Sequence, residues 1–182
     1  MEEIKRARDL ARRLLAEPLP RRWAHSQGVA RKAESVAHLV GDDAQALVCA
    51  AWLHDVGYSP SLVATGMHQL DGARYLRDVT GVDDLVCRLV AHHSCARIEA
   101  RNRGLAEQLA DEFPPVEGLA SDALTYADMT TSPDGEPIEV EQRLSEILAR
   151  YGDGDVVAES IREASSRIIG SVREITGLLS RG

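Results

Sequence analysis

The sequence predicts an all-α fold, and three observations carry that reading. Apolar residues recur at spacings of three and four through most of the chain. No segment shows sustained period-two alternation bounded by hairpin turns. Hydrophobic residues make up 44% of the chain but aromatic ones only 4%, so the core must be built from Leu, Val, Ile and Ala side chains between helices. At 182 residues the chain can bury such a core as one domain, residues 1–182, without disulfide or metal staples.

Glu2 to Glu17 reads as the first helix, with Ile4, Leu10, Ala11, Leu14 and Leu15 on one face, and Pro18 and Pro20 stop it. Trp23 to Val40 follows, placing His25, Val29, Lys32, Ala33, Val36 and Leu39 near one stripe and closing at Gly41. Asp42 or Asp43 then caps Ala44 to Val56, a strongly apolar helix that ends at Gly57 and belongs at the centre of the fold. A loop from Tyr58 to Met67, with Pro60 and Gly66, leads to a helix from His68 to Asp78. Asp83 or Asp84 starts another, which runs through Leu85, Leu89 and Val90 to His92 and His93. Gly104 to Glu112 is a short amphipathic helix broken by Pro114 and Pro115, and Gly118 to Thr131 ends in the turn Ser132-Pro133-Asp134-Gly135. Two helices close the chain, Glu139 to Tyr151 and Asp155 to Leu179. The second carries an apolar stripe at Val157, Ile161, Ala164, Ile168, Val172, Ile175 and Leu179, which fits packing on the domain or on a partner helix.

Acidic residues exceed basic ones, 29 against 21, and the net charge of −8 excludes a broad footprint for duplex nucleic acid. Met1 to Leu15 lacks a signal-peptide apolar stretch, and no run nears the ~18 apolar residues of a membrane span. The expectation is therefore a cytoplasmic protein without membrane association. Cys49, Cys87 and Cys95 are widely spaced in apolar or helical sequence without a CxxC pair, and read as buried thiols of a reducing compartment.

The histidines are the informative residues. His25, His54, His68, His92 and His93 stand at or near helix ends or beside another polar group in otherwise aliphatic sequence, whereas His38 falls off the stripe. The strongest element is Trp52-Leu53-His54-Asp55-Val56-Gly57-Tyr58. A His-Asp pair ending an apolar helix costs desolvation unless compensated, and a divalent cation compensates a neutral imidazole and a carboxylate together. Neighbours on a helix point about 100° apart, so both reach one ion only near the terminus, which Gly57 supplies. The alternative is that Asp55 pairs with an arginine and His54 makes a local hydrogen bond. Arginines near these histidines, namely Arg22, Arg97 and Arg101, with Lys32 weaker, are cations beside the cluster, or else form a solvated helix face. Asp71 either orients a ligand or serves as a helix-start carboxylate.

His25, then His54-Asp55, then the distant Asp128 in Leu124-Thr125-Tyr126-Ala127-Asp128-Met129-Thr130 form a pattern that resembles the HD superfamily of metal-dependent phosphohydrolases. The resemblance spans about 22–131 and leaves the two C-terminal helices (about 139–179) outside, packed on that core. It implies an all-α bundle with a metal held between central helices by His25, His54, Asp55 and Asp128. His68, opening His68-Gln69-Leu70-Asp71-Gly72-Ala73, and His92-His93 resemble the additional ligands of members that hold two metals, such as diadenosine-polyphosphate hydrolases and cyclic-dinucleotide phosphodiesterases. On that likeness His68 and one or both of His92 and His93, with His92 favoured, complete a second site bridged by Asp55. The Gly-Tyr-Pro signature of the cyclic-dinucleotide branch is absent after the second histidine motif, and Ser94 stands where that branch has Glu, so the likeness to the polyphosphate hydrolases is the better one.

The resemblance implies a metal-dependent phosphohydrolase using one or two divalent ions (Fe, Mn, Zn or Ni) to cleave a phosphoester or phosphoanhydride of a nucleotide-like small molecule. Asp55, His54 and Asp128 are its expected catalytic residues, and Arg22, Arg97 and Arg101 its expected substrate-binding ones. A rival reading is a regulatory module that keeps the ligands without turnover, with the C-terminal helix leaving a homodimer open.

Overall fold

The computed structural model describes residues 1–181, and among them no β-strand forms beyond a single isolated bridge between Thr131 and Pro137. Helix α1 (Glu2–Leu15) begins with Glu2 and Glu3 and ends with Arg12 and Arg13, charges that complement its dipole, and buries Ala7, Leu10, Ala11 and Leu15. Pro20 departs from expectation. It opens α2 (Pro20–Val36) as its first residue instead of stopping α1, because a first-turn proline gives up no intrahelical hydrogen bond.

Helix α3 (Ala44–Leu53) is the centre. Every residue from Leu47 to Leu53 is buried, as a helix apolar on all sides requires, and α1, α2, α5 and α8 surround it. Asp43 holds the N-cap position, yet neither it nor Asp42 makes a side-chain capping bond. His54 is the C-cap, and a 3₁₀ turn over Val56–Tyr58 follows. Helix α4 (His68–Tyr75) continues through a π-helical turn, Leu76–Thr80, to Gly81 at φ +64°. In α5 (Asp84–His92) Asp83 supplies the cap, its carboxylate accepting from the Leu85 N–H at 2.9 Å.

Helix α6 (Ala96–Asn102) was not expected from the sequence; its seven residues alternate apolar and charged or polar types too briefly to show a helical period. Cys95, before it, is half-exposed with φ +64°, unlike the buried Cys49 and Cys87. Helix α7 (Ala106–Glu112) and α8 (Leu119–Met129) lead to the C-terminal pair, α9 (Val140–Tyr151) and α10 (Val156–Leu179). The last helix packs on α8, α9 and α6, and its stripe residues Ile161, Ala164, Ile168, Val172 and Ile175 are buried there. The stripe is thus spent within the chain, leaving Leu179 at its end 37% exposed. With Met129, Val140, Leu144 and Ile147, the side chains of Ile161, Ala164, Ile168 and Val172 form a second apolar cluster beside the one around α3, which Ile175 joins.

One close contact positions the chemistry. A Cβ added to Gly57 would lie 1.9 Å from the His68 carbonyl oxygen and 2.7 Å from the Gly72 nitrogen. The turn after His54-Asp55 therefore runs against the backbone of α4, and only glycine lets it do so. Gly57→Ala is expected to destabilise the protein by about 1–3 kcal/mol, as overpacking does, whereas Gly170→Ala should raise stability by up to about 1 kcal/mol through helix propensity, nothing lying within 4 Å of its Cβ. Denaturant unfolding of both variants checks this, and equal effects would contradict it.

Candidate metal centre

Four helices converge on the centre, three of them by an end and α2 by its second turn. His25 comes from α2, His54 and Asp55 from the end of α3, His68 from the first position of α4, and Asp128 from the last turn of α8. His93 follows α5, where the chain reverses through two non-glycine residues with positive φ, Ser94 at +49° and Cys95 at +64°. Such a pair costs roughly 1–2 kcal/mol per residue, and it turns the chain from α5 into α6. It also lets the Ser94 hydroxyl donate to Asp128 Oδ2.

Two triads result, His25–His54–Asp128 and Asp55–His68–His93, each with its donor atoms within 4.8 Å of one another. Asp55 faces both. Its Oδ2 lies 3.5 Å from His54 Nε2 and 4.0 Å from His25 Nε2, and its Oδ1 lies 3.5 Å from His68 Nε2.

The second nitrogens of three rings are fixed by backbone. His25 Nδ1 is 3.0 Å from the Ser132 carbonyl, His54 Nδ1 2.9 Å from that of Ala51, and His93 Nδ1 2.7 Å from that of Val90. A carbonyl only accepts, so each Nδ1 carries the proton and, in the neutral ring, each Nε2 offers a lone pair to the centre. His25 Nε2 then meets Asp128 Oδ1 at 3.0 Å, acceptor against acceptor, and His54 Nε2 is buried without any partner. Groups arranged this way require a positive charge among them, so the residues present fit a divalent cation. The alternative to a metal for the His-Asp pair is met in both its parts: His54 makes its local bond through Nδ1, and Arg22 Nη1 donates to Asp55 Oδ2 at 2.7 Å.

Burial and neighbouring charge set the protonation. Burial pushes His54 down to about 4 despite the nearby carboxylates, and burial likewise holds His68 well below the usual imidazole range. For Asp55 burial acts upward, but Arg22 and then the surrounding histidines outweigh it and keep the carboxyl well below its ordinary value. Asp128 is likewise held low against burial, by His25 at 3.0 Å and then by His54. The Arg22 guanidinium also lies 3.5 Å over the Tyr58 ring, which stacks on His68 at 3.9 Å between centroids.

Three expected residues stand elsewhere. His92, favoured over His93 as a ligand, turns away, its Nε2 donating to the Phe113 carbonyl at 2.6 Å, because α5 ends one residue before the ring that faces inward. Arg97 is exposed on α6 and lines a different surface cleft, and Arg101 pairs with Glu163 on the outside of α10. Lys32 caps the Thr130 carbonyl at 3.0 Å, and Asp71 accepts from the backbone of Ala64, Thr65 and Gly66, ordering the loop before His68.

Tyr58, Gln69, Glu99, Arg143, Arg150 and Tyr151 join the cleft over the centre without having been singled out from sequence. A signal existed for Arg143, which interrupts the apolar face Val140, Leu144 and Ile147 of α9. The HD domain profile matches residues 22–144, about two thirds of the chain and reaching into α9. No curated protein and no solved structure matches the chain.

The protonation pattern predicts acid sensitivity in the metal-free protein. His54 titrates near 6.5 when unfolded but near 4 when folded, so between these values the unfolded state binds the extra proton and stability falls as pH drops. The window is worth on the order of 3 kcal/mol at full burial. The depressed carboxyls of Asp55 and Asp128 extend the loss below pH 3.8. Chelator-treated protein should unfold at progressively lower temperature from pH 6.5 to 4, and His54→Leu should flatten that slope; a flat wild-type profile would contradict the assignment.

Proposed function

The chain belongs to the HD-domain family of metal-dependent phosphohydrolases, and on that premise we propose that it hydrolyses a phosphoester or phosphoanhydride of a nucleotide-like small molecule at a dinuclear centre. The observation that carries this reading is the double triad around Asp55. In it His25, His54 and Asp128 would hold one divalent ion and His68 and His93 a second, with Asp55 placed to serve both; mixed nitrogen and oxygen donors suit Fe, Mn, Zn or Ni. Such ions, when bound, supply Lewis acidity and a water acidic enough to attack near neutral pH.

The chain's own groups do the rest. The carbonyls of Ala51, Val90 and Ser132 keep three imidazole protons on Nδ1, so the Nε2 lone pairs stay aimed inward without rearrangement. Ser94 holds Oδ2 of Asp128 and leaves Oδ1 toward His25 and His54. Arg22, stacked on Tyr58 beside Asp55, places a permanent positive charge where phosphoryl oxygens gather negative charge. Asp55, His54 and Asp128 are thus the catalytic set, and Arg22 the substrate-binding arginine of this reading. The nucleotide-like character is supported by the far wall of the cleft, where Ile147, Tyr151, Val157 and Ile161 offer apolar and aromatic surface beside Arg143 and Arg150.

The test is a screen of metal-loaded protein against nucleotides and dinucleoside polyphosphates for phosphate release. Release is expected with at least one of them, and Asp128→Ala should lower it at least about a hundredfold. Binding without release in every case would instead favour a regulatory module that keeps its ligands without turnover.

A further inference from the structure

Two of the residues lining the cleft over the metal centre carry a buried polar atom with no partner, Oε1 of Gln69 and Nε of Arg143. Both side chains are more than nine-tenths buried, at 3% and 4% exposure. Leaving such atoms unpaired is costly, so a ligand that satisfies them gains affinity from both.

The orientation of Gln69 is fixed by its neighbour. Glu99 Oε1 accepts from Arg103 Nε at 2.7 Å, and Glu99 Oε2 lies 3.1 Å from Gln69 Nε2. An ion-paired carboxylate only accepts, so Gln69 must turn its amide NH₂ to Glu99 and its carbonyl oxygen the other way. Gln69 thus requires a donor from any ligand. Arg143 requires the opposite. Its Nη1 donates to Glu146, but Glu146 is shared with Arg150, so two guanidiniums of α9 face the cleft with one carboxylate between them. Their surplus positive charge calls for an anion. Arg22, the remaining arginine lining this cleft, keeps its place beside the reacting phosphoryl group but is paired one-to-one with Asp55, so the unshared charge lies on α9.

We propose that Gln69 and Arg143 select the substrate: a phosphorylated small molecule whose phosphate oxygen meets Arg143 and whose hydroxyl or amino group donates to Gln69 Oε1. This rests on the phosphohydrolase reading above for the location of the ligand. It places specificity on two elements, α4 and α9, that both line the cleft, and a sugar phosphate carries both required groups.

Calorimetric titration of the metal-loaded full chain with two non-hydrolysable probes tests it: ethylphosphonate, and the phosphonate analogue of ribose 5-phosphate. Wild type should prefer the ribose compound by roughly 3- to 10-fold, the worth of one or two neutral hydrogen bonds. Gln69→Leu should abolish that preference and leave ethylphosphonate affinity unchanged. Arg143→Gln should weaken both probes by roughly 10- to 100-fold with metal content retained. Should that variant fail to fold, Arg143→Lys should still weaken both by at least about threefold, since an ammonium does not reproduce the guanidinium fork. The proposal is overturned if the preference survives Gln69→Leu, if an Arg143 variant that folds binds both probes as wild type does, or if wild type binds neither. Selective binding in a protein that never releases phosphate would refute the reaction and leave this selection standing.

Discussion

A carboxylate buried among imidazoles sets the terms for this molecule. Asp55 is 3% exposed at the end of a helix that is apolar on all sides, and an isolated charge in such a place would cost far more than the fold could bear. Its surroundings answer that cost. Arg22 reaches it from α2, three imidazoles approach it from α2, α3 and α4, and each inward-facing ring that is anchored by backbone turns a lone pair to the interior. Arg22 neutralises one oxygen, but the remaining acceptors outnumber the donors. The deficit of positive charge is what a divalent cation would fill.

The rest of the architecture serves to bring these ends together. Gly57 allows the turn after Asp55 to lie on the backbone of α4, which places His68 beside the carboxylate. At the positive-φ pair Ser94 and Cys95 the chain turns from α5 into α6, and a hydroxyl is placed on Asp128. The second apolar cluster holds α9 and α10 against α8, so residues outside the motif-bearing core form the opposite wall of the cleft. The ligands come from one part of the chain and the surface facing a substrate comes partly from another.

Much of this could be read from the residues, for identifiable reasons. The His-Asp pair stood out because charge at the end of an all-apolar helix is costly wherever it occurs, and His25 and Asp128 followed from a family pattern. The choice between His92 and His93 could not be read, because it depends on where α5 stops, and the turn that stops it contains no glycine or proline to mark it. Arg97 and Arg101 lay close to the histidines in sequence but on a short helix, α6, whose outer face points away from the centre. Arg143 carried a local sign, a charge on an apolar face, yet its meaning depends on α9 folding back over α8, which local pattern does not encode. Pro20 was misread because the same residue ends one helix and begins another, depending only on register.

The central claim is that Asp55 joins two cation sites, and counting metal tests it most directly. After loading with Fe, Mn, Ni or Zn and removal of excess, elemental analysis should find close to two ions per chain with the best-suited metal. His93→Ala should retain about one, and Asp55→Ala should lose both sites because each depends on that carboxylate. Fewer than one ion per wild-type chain with every metal, or an Asp55→Ala protein that keeps its full complement, would contradict the account.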